Sequence, residues 1–312
     1  MISEPGTPTL DQLRVFCTVV DAGSFAGAAR KLKRATSVVS YAIANLEAQL
    51  GVELFDRKSA KVPRLTDAGR TVLVEARAVT SSVNGLRAKV RGMLHGLEPE
   101  LHLAVDVMLP ARRMIDALKA FQAEFPTVTL HLYVEALGAV TQQVLDGVAS
   151  IGISGPMPGA AMKDGIERIG VGSTRLVPVA APQHPLAQGP NPPGATRDHI
   201  QLVLTDRSPL TKGLDFAVFS PRTWRLADMG SKLMLLREGI GWGNMPLPMV
   251  EDDIRAGRLV QLDLPDCRPQ LYQLDVIYRT ATPPGPAASW LIGRLKAQPG
   301  ADDLVPPPEG GA

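Results

Sequence analysis

Cysteine is almost absent from this 312-residue chain: Cys17 and Cys267 are the only two, and neither belongs to a CxxC or Cys/His cluster. That excludes a disulfide scaffold and a cysteine-based zinc site, and both residues read as reduced thiols, Cys17 within a core. Long apolar runs are missing too. No stretch reaches the roughly 18 apolar residues that a membrane-spanning helix requires. The opening "MISEPG" is acidic rather than the basic start of an export signal. The expectation is a cytoplasmic protein with no membrane partner, not an exported binding protein. The five histidines stand singly, without metal-ligand spacing, and "GIGWGN" has neither a GxGxxG pattern nor a nucleophile-elbow serine. No metal, cofactor or enzymatic activity is expected, and Gly241 and Gly243 read as turn glycines.

What is present is an ordinary globular balance, 45% apolar and 21% charged, in a chain long enough for two or three domains. The net charge of +2 hides an asymmetry: residues 1–96 hold fourteen Lys/Arg against eight Asp/Glu, and residues 97–312 hold nineteen against twenty-three. A basic front end on an acidic body suggests a first part that meets a polyanion.

The order of elements follows from periodicity. Thr9-Leu10-Asp11-Gln12 has the form of a capping box, with Leu13, Phe16, Cys17 and Val20 at helical spacing behind it. Ser24 caps a second, shorter helix carrying Phe25, Ala28, Ala29 and Leu32. The basic turn Lys33-Arg34 leads to a third helix, from about Thr36 to Leu50, stopped by Gly51. "VELFDRKSAKVPRLT" then reads as a small hairpin wing, Pro63 demoting its second strand to an edge. From Val72 the apolar residues Val72, Ala76, Val79, Val83, Leu86, Val90 and Met93 are spaced 4, 3, 4, 3, 4, 3. This heptad seam on a helix of about 28 residues, about 42 Å long, predicts packing against another chain rather than on the protein's own core. Beyond Gly96, strands such as "LHLAVDV" and "VTLHLYV" alternate with helices, "ARRMIDALKAFQAEF" presenting Ile115, Leu118, Phe121 and Phe125, up to a helix around Trp290 to Leu295. The terminal "PPPEGGA" is compositionally disordered.

On a helical wheel the third helix has two sides. Val39, Ile43, Leu46 and Leu50 form a buried face, while Thr36, Ser37, Ser40, Tyr41 and Ala44 lie about 120° away. Small hydroxyls let a helix sink into a major groove, and a tyrosine reaches a base or phosphate. Two helices with a short turn, Arg34 within that turn, and a basic wing of Arg57, Lys58, Lys61 and Arg64 make a winged helix-turn-helix for double-stranded DNA. A plain helical hairpin with a solvated side explains each residue singly, but not their conjunction.

At this point "LDQLRVFCTVVDAGSFAGAARKL", "VVSYAIANLEAQLGVELFDR" and "RLTDAGR" resemble the N-terminal domain of LysR-type transcriptional regulators, and the resemblance extends over nearly the whole chain. It implies that Thr36, Ser37, Ser40 and Tyr41 approach bases and phosphates and that Arg57 meets the minor groove or backbone. Two departures stand out: Ala35 replaces the usual serine cap of the reading helix, and Tyr41 replaces a frequent arginine, removing a bidentate guanine reader.

The resemblance also implies a fold: an α/β effector domain of two subdomains, like a periplasmic binding protein, preceded by the winged helix-turn-helix and a long linker helix. The boundaries are 1–66 for the DNA-binding domain, 67–96 for the linker and dimerisation helix, and 97–303 for the effector domain. Subdomain I covers about 97–169 and 269–303, subdomain II about 170–268, and 304–312 is a disordered tail. The two chain crossings fall near residues 169–175 and 265–271. A small-molecule effector would lie between the subdomains, where open-sheet physics also puts ligands. The matching positions are Asp106, Val107, Met108, Leu137, Thr205, Asp206, Ser208, Met229 and Asn244.

Asp106 stands where the family commonly has serine or threonine. It reads either as a cleft carboxylate, which favours an effector that is neutral or donates a hydroxyl or amine, or as a solvent-facing or helix-capping residue. Asp206 and Arg207 read as a surface ion pair. Expected partners are DNA, an effector of unknown identity, the chain itself as homodimer or homotetramer, and RNA polymerase. A constitutive repressor or architectural DNA-binding protein with no effector is the alternative.

Overall fold

The computed structural model describes residues 6–56, 63–94, 96–157 and 165–297. The chain divides into two compact units, Met1–Arg91 and Gly92–Ala312. In the first, α1 (Leu10–Ala22) starts at the predicted capping box, Thr9 and Gln12 each accepting from the other's backbone amide, and ends at left-handed Gly23. Ser24 caps α2 (Phe25–Leu32), and Lys33 in the left-handed region turns the chain toward α3 (Thr36–Leu50). Phe16, Cys17, Ala28, Val39, Ile43 and Leu46 close the core around Phe55, whose ring meets Phe16 edge-on at 5.5 Å.

Among the described residues one antiparallel bridge, Phe55 to Leu65, forms the base of the wing, and the Glu47 carboxylate on α3 ties it down by accepting from the amides of Leu54 and Phe55. Thr66 caps the next helix, and Gly69 in its first turn lies so close to the wing that a Cβ there would stand 2.1 Å from the Leu54 carbonyl oxygen. Only glycine fits.

That helix, α4 (Asp67–Leu94), has the predicted 28 residues. Its seam divides in two. Val72 packs partly against the core of its own domain and Ala76 lies within it at 1% exposure, so Ala76 is closed to a second chain here; a heptad pattern does not distinguish an intramolecular partner from a second chain. Val79, Leu86, Val90 and Met93 are exposed, with Val83 half-buried.

The second unit is built on one sheet with strand order β2-β1-β3-β9-β4-β7-β5-β6, and β8 pairs with β4. β1 (Glu100–Asp106) lies parallel between β2 (Thr129–Glu135) and β3 (Ile151–Ser154). Alternation divides β1: Leu101, Leu103 and Val105 pack under α5 (Ala111–Glu124) and α9 (Pro286–Lys296), and Ala104 under α6 (Gly138–Leu145). On α5 the buried stripe runs through Ala117 and Phe121, leaving Ile115 exposed, against the expected face. Arg113 is buried with its guanidinium on the carbonyls of Val171 and Leu295.

The other lobe carries β5 (Gln201–Leu204), β6 (Thr223–Leu226), β7 (Trp242–Pro246) and β8 (Val260–Gln261) beside α7 (Met229–Arg237) and α8 (Leu247–Arg255). Leu202, Leu236, Met245 and Val250 form its core. Two long antiparallel strands, β4 (Ile166–Ala180) and β9 (Gln270–Arg279), run through both lobes, with a slip in pairing between Gly170 and Gly172. β9 leaves its β3 partner at Asp275 and continues along β4 to Gln270, so the second crossing lies inside this strand and not in the segment ahead of it.

Candidate nucleic-acid interface and ligand cleft

Thr36, Ser37, Ser40 and Tyr41 all face solvent on α3, opposite buried Val39, Ile43 and Leu46, and Tyr41 is 69% exposed. As the sequence suggested, Ala35 provides no side-chain cap, so the amides and positive dipole end of the first turn stay open toward an anion. Arg34 behaves differently: its guanidinium forks onto both oxygens of Asp11 at 2.6 and 2.9 Å, which holds the Asp11 carboxyl below its ordinary range. Arg64 is exposed beside the wing bridge, its carbonyl accepting from Asp56, while Arg57, Lys58 and Lys61 lie outside the described residues.

In the second unit the nine expected cleft positions line three adjoining cavities. Asp106, Val107, Thr205, Asp206 and Met229 border one of about 810 Å³. Leu137, Thr205, Asp206 and Ser208 border a second, and Met108, Leu137 and Asn244 a third of about 490 Å³. These are volumes suited to small organic ligands. Leu137, between them, has φ 50° and ψ −125° at the start of α6, a conformation a branched residue rarely adopts outside functional sites.

The structure gives Asp106 an internal use. It is 1% exposed; its Oδ1 accepts from the Met108 amide at 2.9 Å and its Oδ2 from the Tyr272 hydroxyl at 2.8 Å. Burial pushes its carboxyl up to about 6 against the pull of those hydrogen bonds, and the charge of nearby Asp206 adds to the rise. It neither faces solvent nor caps α5, whose first turn has no side-chain cap. Gly155 makes room for the pair, since a Cβ there would stand 1.8 Å from the Tyr272 hydroxyl. Asp206 does not pair with Arg207; its Oδ1 accepts from the Thr211 hydroxyl, and its Oδ2 is buried without a hydrogen-bond partner. Ser208 caps a short turn by accepting from the Leu210 amide.

Two groups escaped the sequence reading. Lys232, 3% exposed, takes a place in the buried stripe of α7 between Met229 and Leu236, and burial pulls its ammonium down to about 8. The spacing of three and four residues from its apolar neighbours was the available signal. The histidines also do not all stand singly: parallel register sets His102 beside His131, with the Glu100 carboxylate 3.5 and 3.3 Å from their Nε2 atoms. The two rings stack with planes 8° apart, so their in-plane lone pairs do not converge on one ion as they stand.

A reading helix with a wing, and a two-lobed α/β domain with a cleft, define a DNA-binding protein with a ligand-binding domain. The family model described as "Bacterial regulatory helix-turn-helix protein, lysR family" matches residues 10–70, and "LysR substrate binding domain" matches residues 95–300. The chain belongs to the LysR family of transcriptional regulators. It is 30% identical to the probable HTH-type transcriptional regulator YhaJ of Escherichia coli over 260 residues, covering 80% of this chain and 84% of that protein. It is 27% identical to the HTH-type transcriptional regulator AceR of Acinetobacter baumannii over 298 residues, covering 92% and 96%. Among solved structures, a hydrogen peroxide-bound cysteine-to-serine mutant of Corynebacterium glutamicum OxyR shares the fold, with a TM-score of 0.52 at 21% identity over 93% of this chain and 94% of that one. No helix of the described residues is long and apolar enough to cross a membrane.

Proposed function

We propose that this regulator reads an interrupted, roughly palindromic duplex with Ser40 and Tyr41, anchors itself by Arg64 and the basic wing, and changes its DNA contacts when a small molecule enters the cleft between its lobes. The observation that carries the reading is the solvent-facing patch of Thr36, Ser37, Ser40 and Tyr41 on a helix whose opposite side is locked in the core. Arg34, paired with Asp11, orients the turn and keeps an exposed guanidinium beside the reading helix for a phosphate. The adjoining cavities favour an effector-responsive protein over a constitutive one. Titration of labelled duplexes tests the patch: Ser40→Ala or Tyr41→Ala costs about 1–3 kcal/mol on the preferred site and narrows its margin over random DNA. An unchanged margin for Tyr41→Ala would refute this assignment.

The exposed half of the seam, Val79 to Met93, supports self-association into a homodimer or homotetramer, since such a stripe left open is an association hazard. Val83→Glu places like charges opposite each other in that contact and yields monomers by light scattering. RNA polymerase is a further partner under this reading, and the cytoplasm is where it would be met.

A further inference from the structure

We infer that the cavity bounded by β5, β7 and the hinge strand β9 is an anion subsite, in which Lys232 and Asn244 receive the carboxylate of a small organic acid. This rests on the effector reading and specifies the chemistry of its ligand. Among the described residues the Lys232 ammonium donates to a single acceptor, the Asn244 backbone carbonyl at 2.7 Å, and forms no ion pair. Asn244 is 8% exposed; its side-chain oxygen accepts from the Cys267 thiol at 3.3 Å, and its amide nitrogen Nδ2 is buried with no hydrogen-bond partner. Both residues line the cavity of about 490 Å³.

A buried cation without a counter-charge and a buried amide without an acceptor are each costly, and folded proteins rarely leave either open. One carboxylate offers four lone-pair sites and answers both deficits with charge-assisted hydrogen bonds. The wall supplies no such group: Asp215, at the cavity's edge, is spent on Arg225 at 2.6 Å. Asp106 is held by Tyr272 and Met108. The remaining lining is largely apolar, with Met108, Leu137, Leu176, Leu202 and Phe219, which suits an organic body behind the carboxylate. Lys232 reaches the site because β5 and β7 pair only at Gln201 and Trp242 and leave the Asn244 carbonyl to it, while Gly243 gives its Cε room. On this reading Lys232, and not Asp106 with its preference for a neutral, hydroxyl- or amine-bearing effector, sets the charge of the ligand.

The test is thermal unfolding of the full chain with formate, acetate or benzoate, against benzyl alcohol and chloride at equal ionic strength. The expected result is a saturable rise in Tm with at least one carboxylate and none with the alcohol. Lys232→Met raises Tm without ligand, because it removes an unpaired buried charge, and loses the carboxylate response. Asn244→Leu weakens that response about tenfold. A Lys232→Met chain that melts below wild type marks the lysine as a strut and overturns the subsite. So does a wild-type chain that no carboxylate stabilises beyond the Lys232→Met chain. Binding of wild type to duplex DNA without carboxylate is measured alongside; its failure would count against the regulator reading and not against this site.

Discussion

In the DNA-binding domain the polar groups with work to do stand in water: Tyr41 is 69% exposed, with Ser37 and Ser40 beside it. In the effector domain they are buried, Asp106 at 1% and Lys232 at 3%, on either side of a cleft whose Leu137 is conformationally strained. The first domain can therefore be stable before it meets DNA, since its exposed polar groups are already solvated. The second holds a carboxylate and an ammonium out of water; hydrogen bonds from Tyr272 and Met108 answer the carboxylate, and the cost of the ammonium is what an anionic ligand can relieve.

The largest effects should come from two of the close-approach glycines, Gly69 in the first domain and Gly155 in the second. Gly69→Ala drives a methyl into the Leu54 carbonyl, backbone against backbone, and is expected to destabilise the DNA-binding domain by about 3 kcal/mol or more in urea unfolding. Gly155→Ala meets a tyrosine ring that can turn aside, so a smaller loss is expected, with release of Tyr272 from Asp106. Equal losses would mean that the hinge is as unyielding as the wing.

The pH profile of stability sharpens the contrast. Lys232 has its folded pKa lowered to about 8, so the unfolded chain binds more protons between pH 8 and about 10, and stability rises with pH across that window by about 3 kcal/mol. Asp106 has its folded pKa raised to about 6, so the folded chain binds more protons between about 4 and 6, and its contribution is lost as pH rises through that range, again by about 3 kcal/mol. Both slopes belong to the effector domain. They should vanish in Lys232→Met and Asp106→Asn respectively, as read by denaturant titration at each pH. A smaller effect concerns the exposed side of the comparison: Arg64→Ala weakens specific and random DNA alike and flattens the salt dependence by about one unit, while Tyr41→Ala leaves that slope in place.

The same difference explains what the sequence disclosed. Alternating exposure on α3 is a periodic signal, and the wheel separated Val39, Ile43 and Leu46 from Ser37, Ser40 and Tyr41 because one side is wet and the other dry. The seam of α4 was half legible: its spacing was seen, but Ala76 turned inward because α4 also closes its own domain. The pairing of Asp106 with Tyr272, far along the chain, had no local sign, and neither did the register that stacks His102 on His131. Lys232 was visible as a lysine at an apolar position of α7, yet composition alone places lysine on the solvated side.

The central claim, a sequence-reading helix under the control of a ligand-binding cleft, is tested most directly by footprinting the full chain on duplexes selected from a random pool, with and without the carboxylate that stabilises it most. The account predicts enrichment of an interrupted palindrome, protection that Tyr41→Ala loses, and a footprint that changes on adding carboxylate to wild type but not to Lys232→Met. A pool that yields no preferred sequence, or a footprint indifferent to every cleft ligand, would contradict it.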